Sequence, residues 1–335
     1  MSGGVRRPKL QARGADYRDY AMMKHKLKVA LQTLGHTRAL KDGTVRLPDF
    51  EFEFEEVPAI IQAFRRMVRV LEFDVCEMAL PTYLAARAYH KRFTALPIFL
   101  VRGFHHGAIL YNTKLGIGSP KDLEGGKVGV NRGYTVTTGV WARGILQHEH
   151  GVDLEKITWV LSGDEHVAEF QAPSNVIPLE KGKTLEAALA AGELTATIGV
   201  QVEHPDVAPL IADAERVGFE ALARHGHYPI SHVLVIKDSV LEAHPDLAMQ
   251  IFDAFAAAKR PYLERLRSDQ IAAPSKTDRM YRRVLEITGD PLPYGIAPNR
   301  PMLEALIRYA HEQGIISRPF EVEELFAPGT AEWTA

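Results

Sequence analysis

Short apolar runs alternate with helical patterns along the chain. Residues 27–31 and 233–236 are short, mainly apolar runs that predict strands, the second one largely β-branched and covered on both faces as in a parallel sheet. Residues 50–57 alternate apolar and acidic side chains like a half-exposed strand, and residues 73–77 predict a further strand. Pro58 suits a first helical turn, and the apolar residues after it recur at helical spacing. This order predicts an α/β fold with parallel strands and right-handed crossovers.

A second unit with the same alternation begins near residue 108. Residues 119–130 predict a turn and a short helix that lead into a strand, and residues 134–148 predict a long helix. From Pro245 onward the pattern is largely helical, and we expect Pro261 to break it. A chain of 335 residues is long enough for about two domains of this kind.

Composition indicates an ordinary globular protein. The chain has 40 basic and 42 acidic side chains, a formal net charge of −2 and 46% hydrophobic residues. No block of Lys and Arg forms the basic stripe that nucleic acid requires, so we expect no nucleic-acid partner. The single cysteine, Cys76, excludes an internal disulfide and a cysteine-rich zinc site.

The start of the chain is polar and charged. Residues 1–28 contain no apolar stretch of the roughly 7–15 residues that a signal peptide requires, which predicts a cytoplasmic protein. Residues 1–24 are predicted to form a flexible tail. No later segment approaches the about 20 uninterrupted apolar residues of a transmembrane helix, so we expect no membrane partner.

Histidine is the residue type whose chemistry stands out. His232 directly precedes the apolar run at residues 233–236, and a histidine at the start of a buried strand is either a core residue or a functional residue. Ligands of α/β proteins bind at strand ends, so His232 lies where a catalytic residue can reach a ligand. The histidine pairs within residues 148–150 and 225–227 do not share a helix face, and no HExxH spacing accompanies them, so no metal site is predicted.

Several clusters of rare residues stand out, namely 73–77 (FDVCE), Tyr134 with Thr137 and 140–143 (VWAR), 228–233 (YPISHV), 294–300 (YGIAPNR), 313–314 (QG) and 322–326 (VEELF). Together these segments resemble the 4,5-dihydroxyphthalate decarboxylases. They follow one another in order from about Leu27 to Pro328 without large gaps. That family is similar to the type II periplasmic-binding-protein fold, which implies two α/β lobes with mixed, mostly parallel sheets and a cleft between them. Lobe 1 would comprise residues 25–106 and 231–335, and lobe 2 residues 107–230.

The resemblance also implies a reaction, the cofactor-free decarboxylation of a hydroxylated aromatic dicarboxylate in the interlobe cleft. A general acid protonates the ring carbon that bears the carboxylate, a partly deprotonated hydroxyl supplies electron density, and CO2 leaves as the ring rearomatises. Such a site needs cations, an acid, a base and a pocket that excludes water. A non-catalytic solute-binding protein for a small aromatic carboxylate, and a different reaction on the same scaffold, stay open as alternatives. Soluble enzymes are often symmetric homo-oligomers, and self-association is expected on that ground alone.

Four residues are acid-base candidates on this resemblance. His232 lies on the second crossover between the lobes, and Glu77 ends a strand at the cleft, where a carboxylate can either hold a histidine or cap the next helix. His105 and His106 lie on the first crossover. Because neighbouring side chains of extended backbone alternate faces, only one of the two can reach the cleft, and we choose His106. His36 in the first loop is either a further acid-base residue or a solvent-exposed one.

The chain departs from its relatives in the first loop, in lobe 2 and at His105, which replaces an arginine. Where they tend to carry Tyr-Asp-Arg in the first loop, this chain has Leu34-Gly35-His36. In lobe 2, residues 131–133 (NRG) replace a Pro-Glu, so Arg132 adds positive charge where the relatives carry negative charge. The loss of an acid and a phenol from the first loop can change the substrate or abolish the reaction, and Arg132 points to an altered or more anionic substrate.

Cations and hydroxyl groups are the candidates for binding carboxylates. Arg38 in the first loop and Arg102 on the first crossover can each bind a carboxylate through a bidentate guanidinium, although Arg38 can also be a plain surface residue. The helix that begins near Tyr134 offers free N–H groups and a favourable dipole to an anion, and a simple threonine cap is the alternative there. The predicted substrate-binding residues are Arg38, Arg102, Arg132, Tyr134, Thr135, Thr137, Thr138 and Tyr83.

Overall fold

A computed structural model describes residues 24–335. The tail predicted for residues 1–24 lies, apart from Lys24, outside the described residues. Two mixed β-sheets with helices packed against them form the described chain, which confirms the predicted fold class. Among residues 24–335, none of the helices combines the length and the apolar composition needed to cross a lipid bilayer.

Strands and helices alternate along both units. In chain order the strands are β1 (His25–Ala30), β2 (Phe50–Phe54), β3 (Val75–Ala79), β4 (Phe93–Arg102), β5 (Ile109–Asn112), β6 (Lys127–Val130), β7 (Thr158–Leu161), β8 (Val176–Pro178), β9 (Ala196–Ile198), β10 (Val207–Pro209) and β11 (Ile230–Lys237). The α-helices are α1 (Arg38–Lys41), α2 (Ile60–Val70), α3 (Leu80–Ala88), α4 (Thr137–His150), α5 (Leu185–Ala190), α6 (Ala214–His225), α7 (Asp238–Ala243), α8 (Leu247–Arg267), α9 (Lys276–Thr288) and α10 (Arg300–Glu312).

The two sheets define two lobes. The sheet of lobe 1 has the strand order β2-β1-β3-β11-β4, and that of lobe 2 has the order β10-β5-β9-β6-β7-β8. The first sheet therefore draws its strands from residues 25–102 and 230–237, and the second from residues 109–209. The two connecting segments touch where the Gly103 N–H donates to the Pro229 carbonyl (3.2 Å).

Strand β11 runs in the direction opposite to the one that the sequence pattern predicts. It is buried on both faces like a parallel strand, but it is antiparallel to β3 on one side and to β4 on the other. Its first residues therefore lie beside the last residues of β3, and His232 pairs with Ala79. The pairing with β4 is irregular on either side of His232 and again between Val233 and Leu234, where the shifted stretch of β4 contains Pro97, which has no N–H to donate.

Helix α2 shows how the apolar spacing determines packing. Phe64, Met67 and Val68 are buried on one face, as their spacing predicts, while Val70 is exposed. Pro58 lies outside the helix, because Ala59 has an extended backbone and the first helical residue is Ile60.

Pro261 does not break helix α8, contrary to the prediction. The helix runs from Leu247 to Arg267 with this proline inside it. Proline cannot donate a hydrogen bond to the carbonyl four residues earlier, which is that of Ala257. Pro261 is exposed and Ala257 is only partly buried, so water can solvate the carbonyl that the proline leaves without a partner.

The centre of the lobe 1 sheet is fully buried. Cys76 lies in β3, which pairs with β1 and β11, and its thiol donates to the Glu77 carbonyl (2.9 Å). Burial, together with the nearby Glu77 carboxylate, raises the pKa of this thiol well above its ordinary value. A continuous hydrophobic cluster extends from this lobe into lobe 2 through α3, α4 and α10, so the two lobes pack against each other.

Candidate active site

A cavity of about 200 Å³ lies between the two lobes. Lobe 1 lines it with Ile61, Phe64, Ala79, Thr82 and His232. Lobe 2 lines it chiefly with Asn131, Arg132, Thr137, Thr138, His166 and Ile198. Ligand pockets of drug-sized molecules have volumes of about 300–1,000 Å³, so this smaller cavity suits a single substituted ring.

His232 and Glu77 form a hydrogen-bonded pair at the lobe 1 wall of the cavity. The Glu77 carboxylate is fully buried and lies 2.6 Å from His232 Nδ1, while its other oxygen accepts the Gln32 N–H (3.0 Å). A carboxylate can only accept, so Nδ1 carries the hydrogen and Nε2 is the nitrogen left for the cavity. The His232 side chain is 17% exposed, and the edge of the Phe64 ring packs against it (5.1 Å between centroids). Glu77 therefore orients a histidine rather than capping the next helix.

Part of the predicted anion site before α4 is occupied by the chain itself. The Glu165 carboxylate accepts hydrogen bonds from the N–H groups of Tyr134 and Thr135 and from the Thr135 hydroxyl (2.7 Å). A Cβ on Gly133 would lie 2.7 Å from this carboxylate, so a side chain there would displace the carboxylate from this position. Anions are attracted to this backbone as expected. Because the anion is Glu165, Tyr134 and Thr135 are not free to bind a substrate carboxylate, contrary to the prediction.

The first turn of α4 and Arg132 do line the cavity. Thr137 and Thr138 begin the helix, where the first N–H groups have no partner within the helix and the dipole favours negative charge. Arg132 has a φ of 70°, a left-handed conformation that is uncommon outside glycine, and its side chain is exposed. These three residues supply positive charge and hydroxyl groups opposite His232.

The first loop lines a different cavity, of about 650 Å³, within lobe 1. His36 and Arg38 both lie there and not beside His232, contrary to the prediction. His36 is only 1% exposed and packs against the ring of Tyr262, and burial lowers its pKa to about 3. A Cβ on Gly35 would lie 2.2 Å from the same ring. Gly35 thus leaves room for the Tyr262 ring of α8.

Arg102 holds the crossovers together instead of facing the His232 cavity. It is 5% exposed, donates to Asn299 Oδ1 (2.5 Å) and to the Tyr228 carbonyl, and stacks over the Tyr228 ring (4.3 Å). Burial lowers its pKa to about 10. The two guanidinium nitrogens that were expected to bind a substrate carboxylate donate instead to Asn299 and Tyr228 of the chain itself.

Neither histidine of the first crossover reaches the cavity. His106 is fully buried and its Nε2 lies 3.0 Å from the Glu149 carboxylate. His105 stacks parallel to the Trp141 ring, and burial lowers its pKa to about 3. The prediction that His106 is an acid-base residue of the cleft therefore does not fit its position. Glu149 lies 43 residues away in sequence, which is why the pattern did not reveal this partner.

Tyr83 is a core residue and not a substrate-binding one. It is fully buried, its hydroxyl donates to the Leu325 carbonyl, and the same oxygen accepts the Ala95 N–H (3.0 Å). Both hydrogen bonds join α3 to other parts of lobe 1. The hydroxyl has no contact with the cleft cavity.

Tyr83→Phe tests this reassignment. Removal of the hydroxyl leaves one buried N–H and one buried carbonyl unsatisfied, so the free energy of unfolding is expected to fall by about 1–3 kcal/mol. Urea unfolding measures the loss, and KM for the substrate is expected to stay at the wild-type value. A raised KM with unchanged stability would show that Tyr83 binds substrate after all.

Three residues of the site were not among the predicted ones. Thr82 lines the cavity with a buried hydroxyl that has no partner among residues 24–335, and His166 lines it from lobe 2. Glu165 occupies the N–H groups before α4. His166 and Glu165 follow strand β7 of a sheet whose central strands are parallel, and polar residues after such a strand reach the edge where ligands bind. Within the described chain, no three His, Cys, Asp or Glu side chains converge as metal ligands would.

Solved structures identify the class of fold. The periplasmic aliphatic sulphonate binding protein SsuA from Escherichia coli matches 93% of this chain and 100% of its own chain with a TM-score of 0.52. Identity is 12%, so this likeness concerns the fold alone, which is the two-lobed periplasmic-binding-protein fold.

Sequence relatives identify the family. No family model matches the sequence. A 4,5-dihydroxyphthalate decarboxylase from Comamonas testosteroni is 30% identical over 333 residues, which cover 93% of this chain and 99% of the relative. Another from Pseudomonas putida is 32% identical over 212 residues, 58% of this chain and 80% of the relative. The chain belongs to the 4,5-dihydroxyphthalate decarboxylase family.

Proposed function

We propose that this protein decarboxylates a hydroxylated aromatic dicarboxylate of the 4,5-dihydroxyphthalate type. Two relatives carry the name of that enzyme. The observation that carries the proposal is the His232 imidazole, which the buried Glu77 carboxylate holds with one ring nitrogen turned to the cleft cavity. This geometry suits a general acid at the ring carbon that loses its carboxylate.

One substrate carboxylate binds at the start of α4. Thr137 and Thr138, the N–H groups of the first turn and the Arg132 guanidinium offer hydrogen bonds and positive charge there. The two carboxylates of a phthalate are on adjacent ring carbons, so fixing one of them fixes the other. The retained carboxylate thereby directs the reacting carbon towards His232 on the opposite wall.

His232 then protonates the reacting carbon. Glu77 keeps the ring oriented and stabilises the positive charge of the imidazolium, as the carboxylate behind a catalytic histidine does in other enzymes. The departing carboxylate lies against the apolar side chains of Phe64 and Ile198. Poor solvation there favours its conversion to neutral CO2. The product of 4,5-dihydroxyphthalate is 3,4-dihydroxybenzoate.

Glu77 favours this reaction over simple solute binding. A receptor for an aromatic carboxylate needs cations and N–H groups, but it has no use for a carboxylate behind a histidine. Burying a carboxylate costs free energy unless it is paired and hydrogen-bonded. The Gln32 N–H and His232 provide those partners here.

Turnover of a small substrate series tests the proposal. Purified protein is incubated with 4,5-dihydroxyphthalate and with phthalate, with and without a chelator, while CO2 release and 3,4-dihydroxybenzoate are measured. We expect turnover of the dihydroxy compound and none of phthalate, because phthalate has no hydroxyl to supply electron density. Tight binding of 4,5-dihydroxyphthalate without CO2 release would favour the solute-binding alternative.

A further inference from the structure

A short segment of lobe 2 reaches across the cleft and binds lobe 1. This segment, residues 162–166, is called the strap. The Asp164 carboxylate accepts hydrogen bonds from Arg65 (2.7 Å) and Arg69 (3.1 Å), both on α2 of lobe 1. Arg69 also donates to two carbonyl groups of the strap, at 2.9 and 3.3 Å. Because Glu165 of the strap binds the backbone before α4 in lobe 2, both lobes hold the strap in place.

The strap places His166 in the wall of the cavity. His166 is 6% exposed, and its Nδ1 is buried without a hydrogen-bond partner in the part of the chain that the structure describes. Nε2 is therefore the ring nitrogen that the cavity can reach. The Phe64 ring makes edge contacts with both imidazoles; the distance between ring centroids is 6.2 Å to His166 and 5.1 Å to His232. Two histidines from different lobes thus border one cavity.

The two histidines have opposite electrostatic surroundings. Burial, with the positive charges of Arg65 and Arg132, lowers the pKa of His166 to about 4, so its ring is neutral near pH 7 and has a free lone pair. His232 instead hydrogen-bonds a buried carboxylate, which stabilises positive charge on its ring. A bound dianion brings negative charge to His166 and so favours the uptake of a proton by this ring.

Resting on the function proposed above, we propose that His166 is the base that accepts the proton of the ring hydroxyl para to the departing carboxylate. The O–H bond breaks as the proton moves to Nε2, and the electron pair of the oxygen is delocalised to the carbon that His232 protonates. The bond to the carboxylate then breaks, CO2 leaves, and its electron pair restores the aromatic ring. His166 returns its proton to the oxygen. One proton is consumed for each CO2 released.

His166→Gln tests this role by its dependence on pH. On 4,5-dihydroxyphthalate at neutral pH the variant is expected to lose about 10²-fold in kcat/KM, because a general base contributes at least that much. The loss shrinks at alkaline pH, where the hydroxyl ionises in solution and needs no base. His148→Gln is the matched control: this ring pairs with Glu312 (2.6 Å) outside the cavity, and the variant keeps the wild-type rate.

Several results would contradict the proposal. A loss in His166→Gln that is the same at neutral and alkaline pH assigns His166 a structural role only. Wild-type turnover beside an unimpaired His166→Gln variant overturns this inference and leaves the proposed function intact. Absence of CO2 release by the wild-type protein overturns both.

Wild-type protein alone gives a second measurement if His166→Gln does not fold. In 4-hydroxyphthalate just one of the two carboxylates is para to the hydroxyl. Its loss yields 3-hydroxybenzoate, whereas loss of the meta carboxylate yields 4-hydroxybenzoate. We expect 3-hydroxybenzoate, and formation of 4-hydroxybenzoate overturns the role of the para hydroxyl and with it that of His166.

Discussion

His232→Gln is expected to lower kcat for 4,5-dihydroxyphthalate by about 10²–10⁴-fold, the contribution of a general acid, while KM changes little. Glutamine keeps a polar side chain at the cleft but cannot carry the proton that the ring carbon receives. Steady-state kinetics on folded protein, checked by circular dichroism, measure the effect. Equal losses at all substrate concentrations identify a defect in the chemical step.

Glu77→Gln is the matched variant for the partner of His232. The amide has one acceptor oxygen where Nδ1–H and the Gln32 N–H need two, and it lacks the negative charge that stabilises the imidazolium, so a loss of up to about 10⁴-fold is expected. If His232→Gln instead raised KM and left kcat unchanged, the histidine would bind substrate without transferring a proton. Loss of folding in His232→Gln but not in Glu77→Gln would make His232 a core residue.

The protein is also expected to lose stability steeply in mild acid. Burial lowers the pKa values of His36 and His105 to about 3, far below the ordinary value of 6.5. Below pH 6.5 the unfolded chain binds protons that the folded protein does not, so stability is present above 6.5 and is lost as the pH falls towards 3. Each histidine contributes a slope of up to about 1.4 kcal/mol per pH unit, or about 3 kcal/mol for both.

Urea unfolding at several pH values above 5 checks this slope, since most carboxylates stay ionised there. His36→Asn is expected to remove about 1.4 kcal/mol per pH unit from it, because one of the two buried rings is gone. Tyr83→Phe, which removes a hydroxyl that does not titrate near neutral pH, serves as the control and keeps the slope. An unchanged slope in His36→Asn would show that this ring does not bind a proton on unfolding.

Local pattern was sufficient for most of the fold. The apolar spacing after Pro58 predicts the buried face of α2, and the β-branched run at residues 233–236 predicts β11. The direction of β11 could not be read in the same way, because a strand buried on both faces has the same composition whether its neighbours are parallel or antiparallel. Its antiparallel course depends on how the crossovers enter the sheet.

The site was predictable where the chain order determines position. His232 and Glu77 meet because β11 and β3 are neighbours, and strand ends are where α/β folds bind ligands. The partners of Arg102 and of Tyr134 were not predictable. A guanidinium or a free N–H group indicates that an anion or a carbonyl binds there, but not whether the chain itself supplies it, as Tyr228 and Glu165 do.

The burial of Cys76 makes its rate of chemical modification a measure of how often lobe 1 opens. This is the chain's single thiol, and it is buried in the hydrophobic cluster that includes residues of α2 and α3, so a reagent can reach it only when that packing opens. Its rate of modification therefore measures how often the packing around β3 opens. Glu77 follows Cys76 directly and binds His232 on β11. A ligand that holds His232 in place is therefore expected to slow the modification of Cys76.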